Sequence, residues 1–198
     1  MHVTTSSAPL PRVDAPGARF LDDVPMASIR PPIHVLGDTP TGGVAIERRA
    51  VRGVVTDAAG HLLLLRSRDG DLKFPGGGVE LGESDREALA RELDEECGCD
   101  LLGLDELLVT VIERRNAAER PDWVFEMTSR YYACRTSEAV RATRPEPYER
   151  EAGLTPVWIG GRDALAANQE ALQRGASGAW IPRELLVLEH LANAGLLR

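Results

Sequence analysis

Apolar positions recur along this chain at two periods, and the periods divide it into strands and helices. From Val44 to Val55 they alternate with polar positions, with Val51, Gly53 and Val55 on one side, which predicts one or two strands. Asp57 to Gly60 reads as a turn. His61 to Arg66 (HLLLLR) follows, almost wholly apolar, as a strand buried on both faces should be. These two strands and their turn are expected to form a hairpin, with His61 a turn-flanking residue rather than a ligand. Leu72 to Phe74 is a short strand that delivers Pro75-Gly76-Gly77-Gly78.

The period then changes. Leu89, Leu93 and Cys97 recur every four residues, as the core-facing stripe of a helix from about Asp85 to Cys97. Ser84, with Glu87 three residues on, is a capping box at its start, and Gly98 is the expected stop. Leu104 to Glu113 and Trp123 to Cys134 return to strand composition, with a polar loop at Asn116 to Pro121 between them. Thr136 to Gly153 is polar, carries Pro145 and Pro147, and reads as a long loop. Leu154 to Ile159 is a last strand. Arg162–Gln173 and Ile181–Leu191 are amphipathic helices, with Pro182 in the first turn of the second. Strands, a helix, more strands and then helices imply an α/β domain with helices packed on a mixed sheet.

Residues 1–43 fit neither period. Seven of the 13 prolines fall there, so the segment is expected to be an irregular, partly disordered or extended arm ahead of a domain at 44–198. Ile33 to Leu36 is its one candidate edge strand.

Composition narrows the function. With 43% hydrophobic and 27% charged residues, 198 residues suit one domain with a full core plus an arm. The net charge is −8, and between Gly77 and Cys99 eight acids face two arginines, so most of the excess sits in one segment. An acidic chain without a Lys/Arg run argues against nucleic acid or a membrane surface as partner. Three cysteines, Cys97, Cys99 and Cys134, give neither a disulfide framework nor zinc-ligand spacing, and are expected as buried thiols. No stretch has the length of an apolar transmembrane helix and the N-terminus lacks a secretory pattern, so a cytoplasmic protein is expected.

The acidic segment carries the chemistry. Glu92, Glu95 and Glu96 are spaced by three and four, which puts them on one helical face, near the helix C-terminus where the macrodipole opposes them. Such a cluster calls for a cation. Hard oxygen donors select Mg2+ or Mn2+, and Mg2+ bridges phosphate oxygens while keeping waters. An EF-hand register over Asp69, Asp71 and Glu80 fails, because Lys73 and Phe74 stand where a ligand and a glycine are required.

Written as one pattern, the segment is Gly77, five residues, Glu83, seven residues, Arg91-Glu92-Leu93, one residue, Glu95-Glu96, one residue, Gly98, then apolar Cys99. All seven fixed letters match the Nudix box, at a chance on the order of 10⁻⁸ per position at ordinary residue usage. The chain therefore resembles the Nudix hydrolase family from about Val44 to Arg198. Cys99 is the one departure, since the family has an aliphatic residue there.

The resemblance implies a Nudix-type α/β/α sandwich around a mixed β-sheet. It implies Mg2+- or Mn2+-dependent hydrolysis of a nucleoside diphosphate derivative or a nucleoside triphosphate, small-molecule nucleotides as partners, and homodimers, for which the arm offers a means. By match to the motif, Glu92, Glu95 and Glu96 are metal ligands, joined by the carbonyl of Gly76 or Gly77. Arg91 ties Glu83 or a neighbouring carboxylate and orients the ligands; Leu93 and Gly98 are structural. In this family the general base often lies on a loop before the late strand, where Glu149 and Glu151 stand against the competing reading of a solvated charge run. Glu113 and Glu126, on strands, are outsiders. Arg66 and Lys73 flank the glycine turn as phosphate-contact candidates, with surface charge as the competing reading. Trp123, Tyr131, Tyr132 and Tyr148 are candidates to stack a base, although strand aromatics more often fill a core. The alternative function is a non-catalytic Nudix domain that binds a nucleotide-like ligand as a sensor or interaction module.

Overall fold

The computed structural model describes residues 32–37, 44–117, 120–139 and 141–197. The rest of the proline-rich arm lies outside the described residues. In chain order the elements are β1 (Ile33–Leu36), β2 (Val44–Val55), β3 (Leu62–Arg66), β4 (Leu72–Lys73), α1 (Asp85–Cys97), β5 (Leu101–Ala117), β6 (Arg120–Thr136), α2 (Pro147–Ala152), β7 (Thr155–Ile159), α3 (Gly161–Gln173) and α4 (Ile181–Asn193).

The strands form two sheets. One has the order β1-β5-β6-β2 and is mixed: β1 runs parallel to β5, β5 antiparallel to β6, and β6 parallel to β2. The other has the order β4-β3-β7 and is antiparallel. β3 is the hinge of the architecture. Leu63 and Leu65 point into a core with Leu89, Leu93 and Cys97 of α1, while Leu62 and Leu64 point into a second core with Val187, Leu188 and Leu191 of α4. Period-two alternation in a strand apolar on both faces thus places α1 on one side and α3–α4 on the other, the α/β/α sandwich. Each of these buried leucines contributes about 1.5–3 kcal/mol.

Three expectations are corrected. β2 and β3 do not form a regular hairpin. They join different sheets and pair through the Thr56–Leu62 bridge beside the turn, because β2 takes β6 and the glycine turn as its neighbours. The Asp57 turn itself is present: the Asp57 carboxylate accepts from the Ala59 and His61 N–H groups, and the His61 ring sits 2.9 Å from it. The polar stretch after Asn116 is mostly strand, since β5 runs to Ala117 and β6 starts at Arg120. Finally, the long loop before β7 contains α2, started by Pro147 and a reciprocal Glu146–Glu149 cap.

The helix α1 is capped as its sequence requires. Ser84 accepts from the Glu87 N–H, the Glu87 carboxylate accepts from the Ser84 N–H at 2.8 Å, and Gly98 closes the helix in the left-handed region. Asp85 anchors the first turn to the sheet, accepting from Arg49, Arg130 and Tyr132. On the other side Asn168 of α3, fully buried, exchanges two hydrogen bonds with the Leu72 backbone (2.7 and 2.9 Å) and so satisfies the free edge of β4. All three cysteines are buried and free. Among the described residues, no helix is long and apolar enough to cross a membrane.

Candidate active site

The glycine turn lies along β2. Gly77 O accepts from Val51 N and Pro75 O from Gly53 N, both at 2.9 Å, and Val79 N donates to Arg49 O. One glycine is obligatory here and a second leaves room for a carboxylate. Gly76 has φ +128°, and a Cβ on it would stand 2.2 Å from Val51 O; a Cβ on Gly77 would stand 2.4 Å from a Glu92 carboxylate oxygen. Backbone and carboxylate approach each other as closely as the absence of side chains permits. The Gly76 N–H donates to Glu96 Oε2 at 2.5 Å.

The three box glutamates divide between two cations. Arg91 is the first. It grips Glu83 with two bonds (2.9 and 3.0 Å), donates to Glu92 at 2.7 Å and to Gly78 O at 3.0 Å, and reaches Glu95 at 3.4 Å. Lys73 is the second. Its ammonium stands 2.8 Å from Glu96 and 3.0 Å from Glu149, with all three side chains buried. Surface charge is therefore the wrong reading for Lys73. Arg66, at the end of β3, is exposed.

Glu149 is brought to the box from α2, and Glu151 is not: it is exposed, on the rim of an adjacent cavity. Glu113 pairs with Arg183 and Glu126 with Arg114, apart from the box carboxylates. Among the aromatic candidates Tyr131 is core, and Tyr132 is tied to Asp85. Tyr148 is half exposed and donates to Glu149 Oε1 at 3.0 Å, with Lys73 5.8 Å above its ring.

Burial sets the protonation of this group. It pushes Glu96 up to about 8, against the pull of Lys73 and with help from the neighbouring Glu149 carboxylate. Burial also raises Glu92, against its bond to Arg91. For Glu149 burial acts upward too, but the hydrogen bond with Glu96, the Lys73 charge and the Glu146 N–H outweigh it and bring Glu149 down to about 2. One ammonium thus serves two buried carboxylates. The Arg91 bond holds Glu83 down at about 2.

A divalent ion fits this donor set by its chemistry. Glu92 and Glu96 are buried hard-oxygen donors whose charge burial disfavours, and a further cation beside them would favour their ionised form. Among the described residues no three acidic, His or Cys groups already converge as a coordination shell, because Arg91 and Lys73 hold the carboxylates. The Gly77 carbonyl accepts one bond, from Val51, and keeps a second lone pair; the Gly76 carbonyl faces Arg52.

Sequence reasoning missed two charged groups here. Glu184 of α4, with no exposed surface, accepts from Tyr131 and Arg183 and from the N–H of Phe74, which leads into the turn. Its signal was legible: Glu184 falls on the helical face of Leu188 and Leu191, four and seven residues on. Arg52 is the other, a charge inside the apolar run of β2. Beyond Tyr148 opens a cavity of about 360 Å³, whose lining includes Tyr148, Trp180, Ser67, Arg68, Asp71 and Glu151. Buried Asp71 fixes the indole there, accepting from Trp180 Nε1 at 2.6 Å and from Ser67 at 2.5 Å.

Comparison with known proteins agrees with this geometry. The family model of the NUDIX domain matches residues 46–181. Comparison with curated proteins returns no match. Among solved structures, the solution structure of the E. coli ORF135 protein is 24% identical, with a TM-score of 0.50, over 79% of this chain and 97% of its own. The MutT NUDIX hydrolase from Burkholderia pseudomallei is 23% identical over 61% of this chain and 85% of its own, with a TM-score of 0.46. The NUDIX hydrolase from Nitrosomonas europaea is 18% identical over 74% and 90%, with a TM-score of 0.49. At 24% identity the first of these speaks to the fold alone. The match of the family model over most of the chain, with the box intact, decides the class: the chain belongs to the Nudix family. It is a hydrolase acting on pyrophosphate bonds.

Proposed function

We propose that the protein is a Mg2+- or Mn2+-dependent pyrophosphohydrolase that cleaves the diphosphate linkage of a nucleoside diphosphate derivative or nucleoside triphosphate. The observation that carries this is the placement of Glu96: buried, against the Gly76 N–H, and sharing Lys73 with Glu149. Glu92, Glu95, Glu96 and the Gly77 carbonyl would hold the ion. When bound, it neutralises the pyrophosphate and acidifies a water.

The chain's own residues do the rest. Arg91, tied to Glu83, fixes the direction in which Glu92 and Glu95 present their oxygens. Glu149, carried beside Glu96 by α2 and sharing Lys73 with it, is the candidate to accept the proton of the attacking water. Glu151, on the same short helix, is the lesser candidate. The cavity beyond Tyr148 receives the nucleoside, with the rings of Tyr148 and Trp180 as stacking faces. A panel of nucleoside diphosphate derivatives and triphosphates with Mg2+ tests this. Release of a nucleoside monophosphate together with the phosphorylated remainder or pyrophosphate is expected. Tight binding without turnover of any member would contradict it.

A further inference from the structure

Arg52 is a buried cation without an anionic partner. It sits in β2 between Val51 and Gly53, opposite Tyr131 of β6, and is only 7% exposed. Its guanidinium donates one hydrogen bond, from Nη1 to the Gly76 carbonyl. Its Nε is fully enclosed and meets no acceptor, and among the described residues no carboxylate forms an ion pair with it. A buried charge that is neither paired nor fully hydrogen-bonded is costly.

The surroundings say what is missing. The guanidinium is close enough to Glu92 and Tyr148 for its charge to act on both, and it is bonded to the carbonyl of the residue whose N–H holds Glu96. The carboxylates nearby are already held, Glu92 by Arg91 and Glu96 and Glu149 by Lys73. What Arg52 lacks is an acceptor that is anionic and offers several oxygens. A planar guanidinium fork matches two oxygens of a phosphoryl group.

We propose that Arg52 is a phosphate-contacting residue, binding the substrate's diphosphate beside the Gly76 carbonyl. The inference rests on the reading of this site as a diphosphate site. It adds a fixed cation from β2 to Arg91 and Lys73, whose charges are held by the glutamates.

The test uses methylenediphosphonate, a hydrolysis-resistant pyrophosphate, titrated calorimetrically into the full chain with Mg2+. Wild type should bind. Arg52→Met, which keeps the length and removes the charge, should bind at least ~10-fold more weakly, with Arg52→Lys between the two because it lacks the fork. Mn2+ affinity, read by electron paramagnetic resonance without diphosphonate, should not weaken in either variant, since Arg52 offers a metal no oxygen and its charge opposes a cation. Should Arg52→Met fail to fold, Arg52→Lys carries the same comparison. Unchanged diphosphonate affinity would overturn the proposal while leaving the hydrolase reading intact. Parallel loss of Mn2+ and diphosphonate would overturn it by showing that Arg52 only shapes the metal cradle. A wild type that neither binds diphosphonate nor cleaves any nucleotide would defeat both readings together.

Discussion

The ammonium of Lys73 lies 2.8 Å from Glu96, and that buried contact joins β4 to the helix of the box. The same ammonium holds Glu149, 76 residues further on, 3.0 Å away. Replacing Lys73 by Met leaves two buried carboxylates without their cation. The expected cost is about 3–5 kcal/mol, measured by urea unfolding at neutral pH. An unchanged midpoint and slope would show that the ammonium does not hold these groups together.

Glu83 gives a pH signature. The Arg91 bond lowers its folded pKa to about 2 from an ordinary 4.5, so the folded state favours the ionised form. Its contribution to stability is complete above about pH 4.5 and is lost as pH falls through about 2. Wild type should therefore exceed Glu83→Gln in stability near neutrality, and the gap should close across that acid window. A gap that stays constant with pH would contradict the assignment.

The glycine turn makes a paired prediction. Gly77→Ala drives a methyl into the Glu92 carboxylate, whereas a Cβ on Gly78 meets nothing within 4 Å. Displacing a metal-site carboxylate by about 1 Å should lower kcat on the order of 10²-fold, and Gly78→Ala should leave it near wild type. Equal effects at the two positions would show that crowding at Glu92 is not what matters.

Ser84→Ala removes the accepting side chain of the capping box and should cost about 1 kcal/mol in thermal or urea unfolding. The site carboxylates lie two or more turns away, so kcat should change little. A large loss of activity with stability intact would place Ser84 in the site rather than at the cap.

What the sequence made legible was local. The capping box, the Leu89–Leu93–Cys97 stripe and Gly98 are decided within one helix, and α1 has those bounds. The alternating leucines of β3 likewise foretold burial on both faces. The missed features depend on partners far away in sequence. Lys73 reads as surface charge until β4 is set beside α1 and α2. α2 is six residues that begin on Pro147, too short to show a period. β2 looked like half of a hairpin because nothing in it names β6, which claims its edge. Arg52 and Glu184 were visible as charges in apolar patterns, and each is buried beside the glycine turn.

On the proposed function, the carboxylates of α1 serve a divalent ion at a pyrophosphate bond. The most direct measurement is nucleotide hydrolysis by wild type and Glu96→Gln, with Mg2+ and with chelator, alongside thermal unfolding. Wild type should turn over only with the metal, and Glu96→Gln should remain folded while losing at least ~100-fold in kcat. A folded Glu96→Gln protein with wild-type turnover, or turnover unaffected by chelator, would contradict the account.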